Sequence, residues 1–253
     1  MEKNKNNSKK RLGLVGKDIG YSFSRGYFAD KFKKEKIGSY SYENFDLENI
    51  GDLADLLIEE SIVGMNVTIP YKEAVIPYLD HVKEDAAIIG AVNTICFDKN
   101  GQSLGYNTDT YGFETALRNM LPAFPKKAFI LGTGGAAKAV KYVLTKNNVE
   151  VTFVSRSQKE GSIAYEALSQ ELIESHHLIV NCSPVGTFPA IDEAPNILYE
   201  YLSSAHSLFD LIYNPLKTKF LYRGEQRGAR IQNGLAMLEY QAEKSWEYWM
   251  QNQ

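Results

Sequence analysis

The sequence predicts an α/β protein of two units, a smaller sheet-and-helix unit followed by a doubly wound one. Three observations carry this reading. Short apolar runs alternate with helix-like stretches along most of the chain, as in crossover units on a mostly parallel sheet. A glycine-rich turn at residues 132–137 lies directly between a strand-like run and a helix-like one. That turn begins past the middle of the 253 residues, so a separate unit must precede it.

Strand-like runs at Leu12–Gly16, Tyr40–Phe45 and Ile62–Val67 alternate with helix-like ones at Arg25–Glu35 and Leu47–Glu59. Asp46 fits as the N-cap of the second helix, whose Leu53, Leu56 and Leu57 share one face. Ala91–Phe97, the turn Lys99-Asn100-Gly101 and Gln102–Tyr106 read as a hairpin, because Asn-Gly suits a type I′ turn. Thr108–Leu121 reads as a linking helix that stops before Pro122. Five further strands are expected at Ala128–Leu131, Val149–Val154, Leu178–Cys182, Ser207–Leu211 and Ala229–Ile231. The tail Leu235–Met250 is helical, and Leu235, Leu238, Ala242, Trp246 and Trp249 form an apolar stripe that must be buried.

Composition narrows the function classes. With 44% hydrophobic and 23% charged residues the chain is globular, and each unit is large enough to bury a core. The net charge of −3, with no basic stripe outside the polar, frayed Met1–Arg11 tail, argues against nucleic acid. No run is long enough to span a membrane, and Leu12–Gly16 is too short for a signal-peptide core, so a cytoplasmic protein is expected. Cys96 and Cys182 lie far apart in apolar settings and read as reduced core residues. His176-His177 reads as a surface pair, and no Cys/His spacing suggests a metal site.

The glycine turn carries the first chemical signal. In Gly132-x-Gly134-x-x-Ala137 one glycine makes the tight turn and a second lets backbone approach a pyrophosphate. The small third residue lets helix pack close to strand. The helix N-terminus then offers free N–H groups to the phosphates. After the next strand an NAD site places an acid on the ribose, whereas this chain reads Ser155-Arg156-Ser157. A guanidinium flanked by hydroxyls pairs with a 2′-phosphate, which favours NADP over NAD.

The first unit holds three polar clusters. Ser22 and Ser24 precede a helix, where they cap it or meet a carboxylate. Asn66 and Thr68 end a buried-type strand, Pro70 stops the ladder, and Lys72 follows at the start of a helix. Gly90-Ala-Val-Asn93-Thr94 is followed by Asn107-Thr108-Asp109 at the linking helix, where the simple reading is capping. Each is unremarkable alone, since a lone lysine is usually a solvated charge. Together, ahead of a dinucleotide turn, they supply what hydride transfer to or from an alcohol needs. One group moves the hydroxyl proton and a carboxylate orients it.

In order, the Ser22-Phe-Ser24 loop, Asn66-Val-Thr-Ile-Pro-Tyr-Lys72, Ala91-Val-Asn-Thr94, Asn107-Thr-Asp109 and Gly132-x-Gly-Gly135 resemble the shikimate dehydrogenase family. Asn181-Cys-Ser-Pro-Val-Gly186, Asp210-Leu-Ile-Tyr-Asn-Pro215 with Thr218, and Asn233-Gly-x-x-Met-Leu-x-x-Gln241 complete the resemblance, which covers about Leu12 to Trp249. It implies Lys72 and Asp109 as the catalytic pair, with Ser22 and Ser24 on the substrate carboxylate. Thr68, Asn93, Tyr213 and Gln241, with Asp109, would hold the remaining substrate groups. Gly132, Gly134, Gly135 and Ala136 would cradle the pyrophosphate, and Ser155, Arg156 and Ser157 would take the adenosine side. Asn181 and Ser183 would run along the cofactor, and Gly234 would lie near the nicotinamide. The final helix would return to the first domain, giving domains 11–109 plus 235–253 and 110–234. The implied reaction is NADP-dependent interconversion of 3-dehydroshikimate and shikimate in the chorismate pathway, by a monomer or homodimer. The alternatives are a quinate/shikimate enzyme using NAD and a catalytically silent nucleotide-binding regulator. Two departures stand out: the family's His-Ser-x-Ser-Pro is Tyr21-Ser-Phe-Ser-Arg25 here, and its Asn-Arg-Thr is Ser155-Arg156-Ser157.

Overall fold

A computed structural model describes residues 9–20, 22–156 and 161–252, so Tyr21 and Ser157 lie outside the described residues. Two compact units divide the chain: one runs to Thr108 and resumes at Ala242, and the other is Asp109–Gln241.

The first unit begins with β1 (Lys10–Gly16), α1 (Phe23–Lys34) and β2 (Tyr40–Asp46). It continues through α2 (Leu53–Leu57), β3 (Ile62–Val67), β4 (His81–Val82), α3 (Glu84–Ile89), β5 (Thr94–Phe97) and β6 (Ser103–Tyr106). Its sheet has the order β2-β1-β3-β5-β6-β4, with β1, β2 and β3 parallel and β3-β5-β6 antiparallel. The expected hairpin is β5–β6, but its turn is not type I′: Gly101 has φ +79 while Asn100 does not have a positive φ, and Gly101 N bonds back to Asp98 O at 3.0 Å. Lys10 and Arg11, expected in a frayed tail, instead extend β1, because both pair with β2. The second helix is shorter than expected, a 3₁₀ turn at Ile50–Asp52 followed by five α-helical residues. Asp46 does not cap it: its two carboxylate oxygens accept the N–H groups of Asp18 and Ile19 at 2.8 and 3.1 Å.

The second unit starts with α4 (Asp109–Met120), β7 (Lys127–Leu131), α5 (Gly135–Lys146) and β8 (Glu150–Ser155). Next come β9 (Ser162–Ala164), α6 (Gln170–Ser175), β10 (Leu178–Asn181), β11 (Ser207–Asp210), α7 (Lys219–Glu225) and β12 (Arg230–Gln232). All six strands are parallel in the order β12-β11-β10-β7-β8-β9, the doubly wound dinucleotide arrangement whose strand order reverses between β7 and β10. Phe129, Ile130, Ile179 and Val180 are fully buried, because helices cover both faces of a parallel sheet. His176 corrects the surface-pair expectation. It is 2% exposed and stacks on Phe129 with ring centroids 3.8 Å apart, leaving only His177 outside.

The last helix, α8 (Leu235–Gln251), contributes Met237 to the core of the second unit. Its Ala242 and Trp249 join Leu12, Leu14, Phe28 and Tyr42 in the core of the first. Trp249 Nε1 donates to Ile95 O at 3.0 Å, and Lys31 on α1 pairs with Glu243 at 2.8 Å. Of the expected apolar stripe, Ala242, Trp246 and Trp249 are core packing, whereas Leu235 and Leu238 stay half-buried outside both cores and Met237 is buried in their place. Gly64 on β3 leaves room for the Trp249 ring, which a Cβ would strike.

Asp210 closes β11 and accepts from Thr218 Oγ1 at 2.6 Å, Asn181 Nδ2 at 3.0 Å and Ile212 N at 3.0 Å. It is fully buried, and burial pushes its pKa up to about 6 against the pull of those three donors. Asn181 Oδ1 in turn accepts from Ser183 N at 3.0 Å and Ser183 Oγ at 2.7 Å. One buried carboxylate thus fixes the loops that follow both β10 and β11.

Two outcomes are expected. Gly64→Ala overpacks the Trp249 site and costs about 2 kcal/mol. Both tryptophans of the chain lie on α8, so a denaturation curve followed by their fluorescence reads the loss directly, and an unchanged midpoint would contradict the packing. For Asp210, a carboxyl that holds its proton more tightly folded than unfolded stabilises fully below its ordinary pKa of 3.8. It loses that contribution as pH rises through about 6. Asp210→Asn therefore gains on the native chain by on the order of 3 kcal/mol between about pH 4 and about pH 7. Denaturant titrations of both proteins at the two pH values check this, and parallel pH dependences would contradict it.

Candidate functional site

Polar residues gather at the C-terminal ends of the parallel strands in the first unit. Thr68, directly after β3, donates its N–H to Val15 O on β1 at 2.9 Å. Two further backbone bonds, Val67 N to Asn93 O at 2.8 Å and Val92 N to Lys72 O at 2.7 Å, lay the segment carrying Thr68 and Lys72 against Ala91–Thr94. Lys72 does not start a helix as expected. After Pro70 the chain makes turns, with Tyr71 N bonded back to Thr68 O at 2.8 Å, and the first helical residues are the 3₁₀ turn Ile76–Tyr78. Lys72 is half-buried there.

Asn93 is 2% exposed, and its Oδ1 accepts Thr108 N at 2.7 Å and Thr94 Oγ1 at 3.1 Å. Asn107 Nδ2 donates to Ala91 O at 2.9 Å. The two stretches of this cluster, apart in the sequence, thus form one buried polar group. Asp109 follows directly, 5% exposed, as the first residue of α4.

Ser22 caps α1, its Oγ accepting Ser24 N at 3.2 Å. This capping does not compete with anion binding, because an accepting hydroxyl keeps its own proton to donate. Both serines are only partly buried at the helix N-terminus, where an anion is favoured.

Beneath these groups Asn66 meets two side chains that the sequence does not single out, Tyr42 and Ser245. Asn66 Oδ1 accepts Tyr42 Oη at 2.9 Å, while its Nδ2 donates to Ser245 Oγ at 2.9 Å and Thr94 Oγ1 at 3.2 Å. Ser245 Oγ also lies 3.1 Å from Thr108 Oγ1. The available signal was a strand that ends in Asn-x-Thr although its burial pattern is apolar. Tyr42 and Ser245 carried none, since their partners are 24 and 179 residues from them.

In the second unit Gly132 follows β7 with φ +105, in the region that favours glycine, and its N–H bonds Val154 O at 2.9 Å. A Cβ there would sit 3.2 Å from Ser183 N, so the residue also permits close approach of the loop after β10. Gly134 is the N-cap of α5 and has open space where its Cβ would be. Gly135 and Ala136 open the helix, and Ala137 is fully buried against the sheet. This is the cradle a pyrophosphate needs: backbone N–H groups at a helix N-terminus with no side chain in the way.

Ser155 is buried with its Oγ 3.2 Å from Ser162 Oγ, so it braces β8 to β9. Arg156 is exposed at the end of β8, near enough to oppose the upward shift that burial imposes on the Tyr165 phenol, to about 12. On the other side of the switch point, Leu211 N bonds Asn181 O at 3.0 Å and Gly234 N bonds Ile212 O at 3.0 Å. Asn181, Ser183, the segment leading to half-buried Tyr213, and Gly234 are thereby contiguous, and a Cβ on Gly234 would strike Leu211. Gln241 is 8% exposed, its Nε2 donating to Leu238 O at 2.9 Å. Among the described residues there is no His/Cys/Asp/Glu group able to hold a metal ion, and no helix long and apolar enough to cross a membrane.

Comparison with known proteins agrees with both halves. The family model for the shikimate dehydrogenase substrate binding domain matches residues 14–95. A shikimate dehydrogenase (NADP+) of Clostridium beijerinckii is 37% identical over 95% of this chain and 92% of its own length. A Thermus thermophilus shikimate 5-dehydrogenase, solved with NADP(H) and shikimate, superposes with a TM-score of 0.84 at 30% identity, covering 95% of this chain and 93% of that one. A shikimate dehydrogenase solved with NADP+ gives a TM-score of 0.86 at 33% identity, over 96% and 90% of the two chains. On this fold, these sites and this identity, the chain belongs to the shikimate dehydrogenase family.

Proposed function

We propose that this chain reduces 3-dehydroshikimate to shikimate with NADPH, reversibly, using Lys72 as its acid–base group. The observation that carries the proposal is the bond from Val92 N to Lys72 O. It sets the only lysine of the turn after β3 beside the Asn93–Asn107–Thr108 cluster. Thr68 and Asn93 bring polar side chains to the same strand ends, fit to hold ring hydroxyls, with Tyr213 and Gln241 assigned to the same substrate. Ser22 and Ser24 offer hydroxyl donors to its carboxylate. Asp109 is assigned to hold the Lys72 ammonium and a neighbouring hydroxyl.

The reduced nicotinamide, when bound, supplies a hydride to the carbonyl carbon. Lys72 then gives the carbonyl oxygen a proton as it becomes the hydroxyl, and takes it back in the oxidative direction. On the cofactor, Gly132, Gly134, Gly135 and Ala136 take the pyrophosphate. Arg156, with Ser155, reads the 2′-phosphate, since residues 154–157 carry no acid that would repel it. Asn181, Ser183 and Gly234 are assigned to the nicotinamide end; Asp210 braces Asn181, which in turn holds Ser183.

Two variants separate these roles. Lys72→Ala is expected to lower kcat about a thousandfold while calorimetric NADP binding is unchanged, and full turnover would remove Lys72 from the chemistry. Arg156→Ala is expected to weaken kcat/KM for NADP by about thirtyfold and leave NAD nearly unaffected. Equal losses with both cofactors would mean that Arg156 does not read the phosphate.

A further inference from the structure

We propose that Asn44 and Asp46, alternate residues of β2, are positioning residues that hold Asp18 and Ile19, and through the Ile19 carbonyl Ser22, in the arrangement that receives the substrate carboxylate. The proposal rests on the reading of Ser22 and Ser24 as that carboxylate's donors.

Residues two apart on a strand point to one side, so 42, 44 and 46 share a face of β2. Asp46 and Asn44 grip successive residues of the stretch ahead of α1. Asp46 takes its beginning, with Oδ1 on Asp18 N at 2.8 Å and Oδ2 on Ile19 N at 3.1 Å. Asn44 takes the middle, its Nδ2 donating to Ile19 O at 2.9 Å. That same carbonyl accepts Ser22 N at 3.0 Å, so Asn44 and Ser22 converge on one oxygen. Tyr42, on the same face but deeper, anchors the strand itself by donating to Asn66 Oδ1 at 2.9 Å.

The grip is needed because the segment is not self-supporting. Asp18 has φ +55, a left-handed conformation that costs a non-glycine residue about 1 kcal/mol or more and persists only when surroundings hold it. The two N–H bonds to one carboxylate are charge-assisted and fix that conformation on both of its amides. With them in place the serine hydroxyls meet the substrate already arranged, and little ordering cost falls on binding. Asp46 is itself exposed, so its removal opens no cavity and strands no buried charge.

The test is steady-state kinetics of Asp46→Ala, Asp46→Asn, Ser24→Ala and the double variant Ser24→Ala with Asp46→Ala, alongside thermal melts. Asp46→Ala is expected to raise KM for shikimate about tenfold, with kcat within about threefold and KM for NADP unchanged. Asp46→Asn keeps one of the two acceptors and should recover part of the loss. The double variant should lose less than the sum of the two singles, since Asp46 acts through the serines. If Ser24→Ala raises KM and Asp46→Ala does not, the positioning role is overturned and the carboxylate reading stands. If Ser24→Ala leaves KM unchanged, the carboxylate reading fails and takes this assignment with it. Equal losses for shikimate and NADP with a lowered melting temperature would make Asp46 a general stabiliser and overturn the proposal as well.

Discussion

A buried amide must find every partner inside the protein, and the first unit is arranged around one that does. Asn66, 5% exposed at the end of β3, receives Tyr42 from β2 and donates to Thr94 on β5, to Ser245 on α8 and to the Asn93 carbonyl. Leaving any of these groups unpaired would cost on the order of 1–3 kcal/mol, so the register of three strands and a helix is coupled to one side chain. That coupling brings Thr68, Lys72, Asn93 and Thr108 to the same strand ends. The second unit repeats the device with Asp210, whose three donors fix Asn181 and Thr218 and through them the loops after β10 and β11. In both units a buried polar residue at the end of an interior strand holds the loops assigned to function.

These networks explain why the chemistry sits on loops without being loose. The carbonyl ends of parallel strands are where an α/β sheet opens a crevice, and loops there are free to carry function. Here each such loop is tied back: the glycine turn by Gly132 N to Val154 O, the turn carrying Lys72 by Val92 N, and the serine segment by Asp46. Preorganisation of this kind lets binding energy go into the reaction rather than into ordering the site.

Much of this was legible in the sequence, for local reasons. Gly132-x-Gly134 after an apolar run specifies a turn through backbone geometry, and the structure has that turn, with φ +105 at Gly132. The β5–β6 hairpin and the burial of Ala242 and Trp249 on α8 follow from periodicity in the same way. The failures are non-local. Asp46 precedes a helix and looks like its cap, yet it bonds residues 27 and 28 positions earlier, across the sheet. His176 beside His177 looks solvated, yet it stacks on Phe129 beneath β7. Lys72 looks like a helix start, but the turns after Pro70 and the bond to Val92 decide otherwise. Tyr42 and Ser245 carried no signal, because their roles exist only once β2, β3 and α8 are assembled.

The central claim is that the polar cluster of the first unit selects the substrate while Arg156 selects the cofactor. Its most direct test is one absorbance assay of reduced nicotinamide formation, run with shikimate and with quinate, each against NADP and NAD. Rapid turnover confined to shikimate with NADP is the predicted result. Preference for quinate or for NAD, or no turnover in any of the four combinations, would contradict the account.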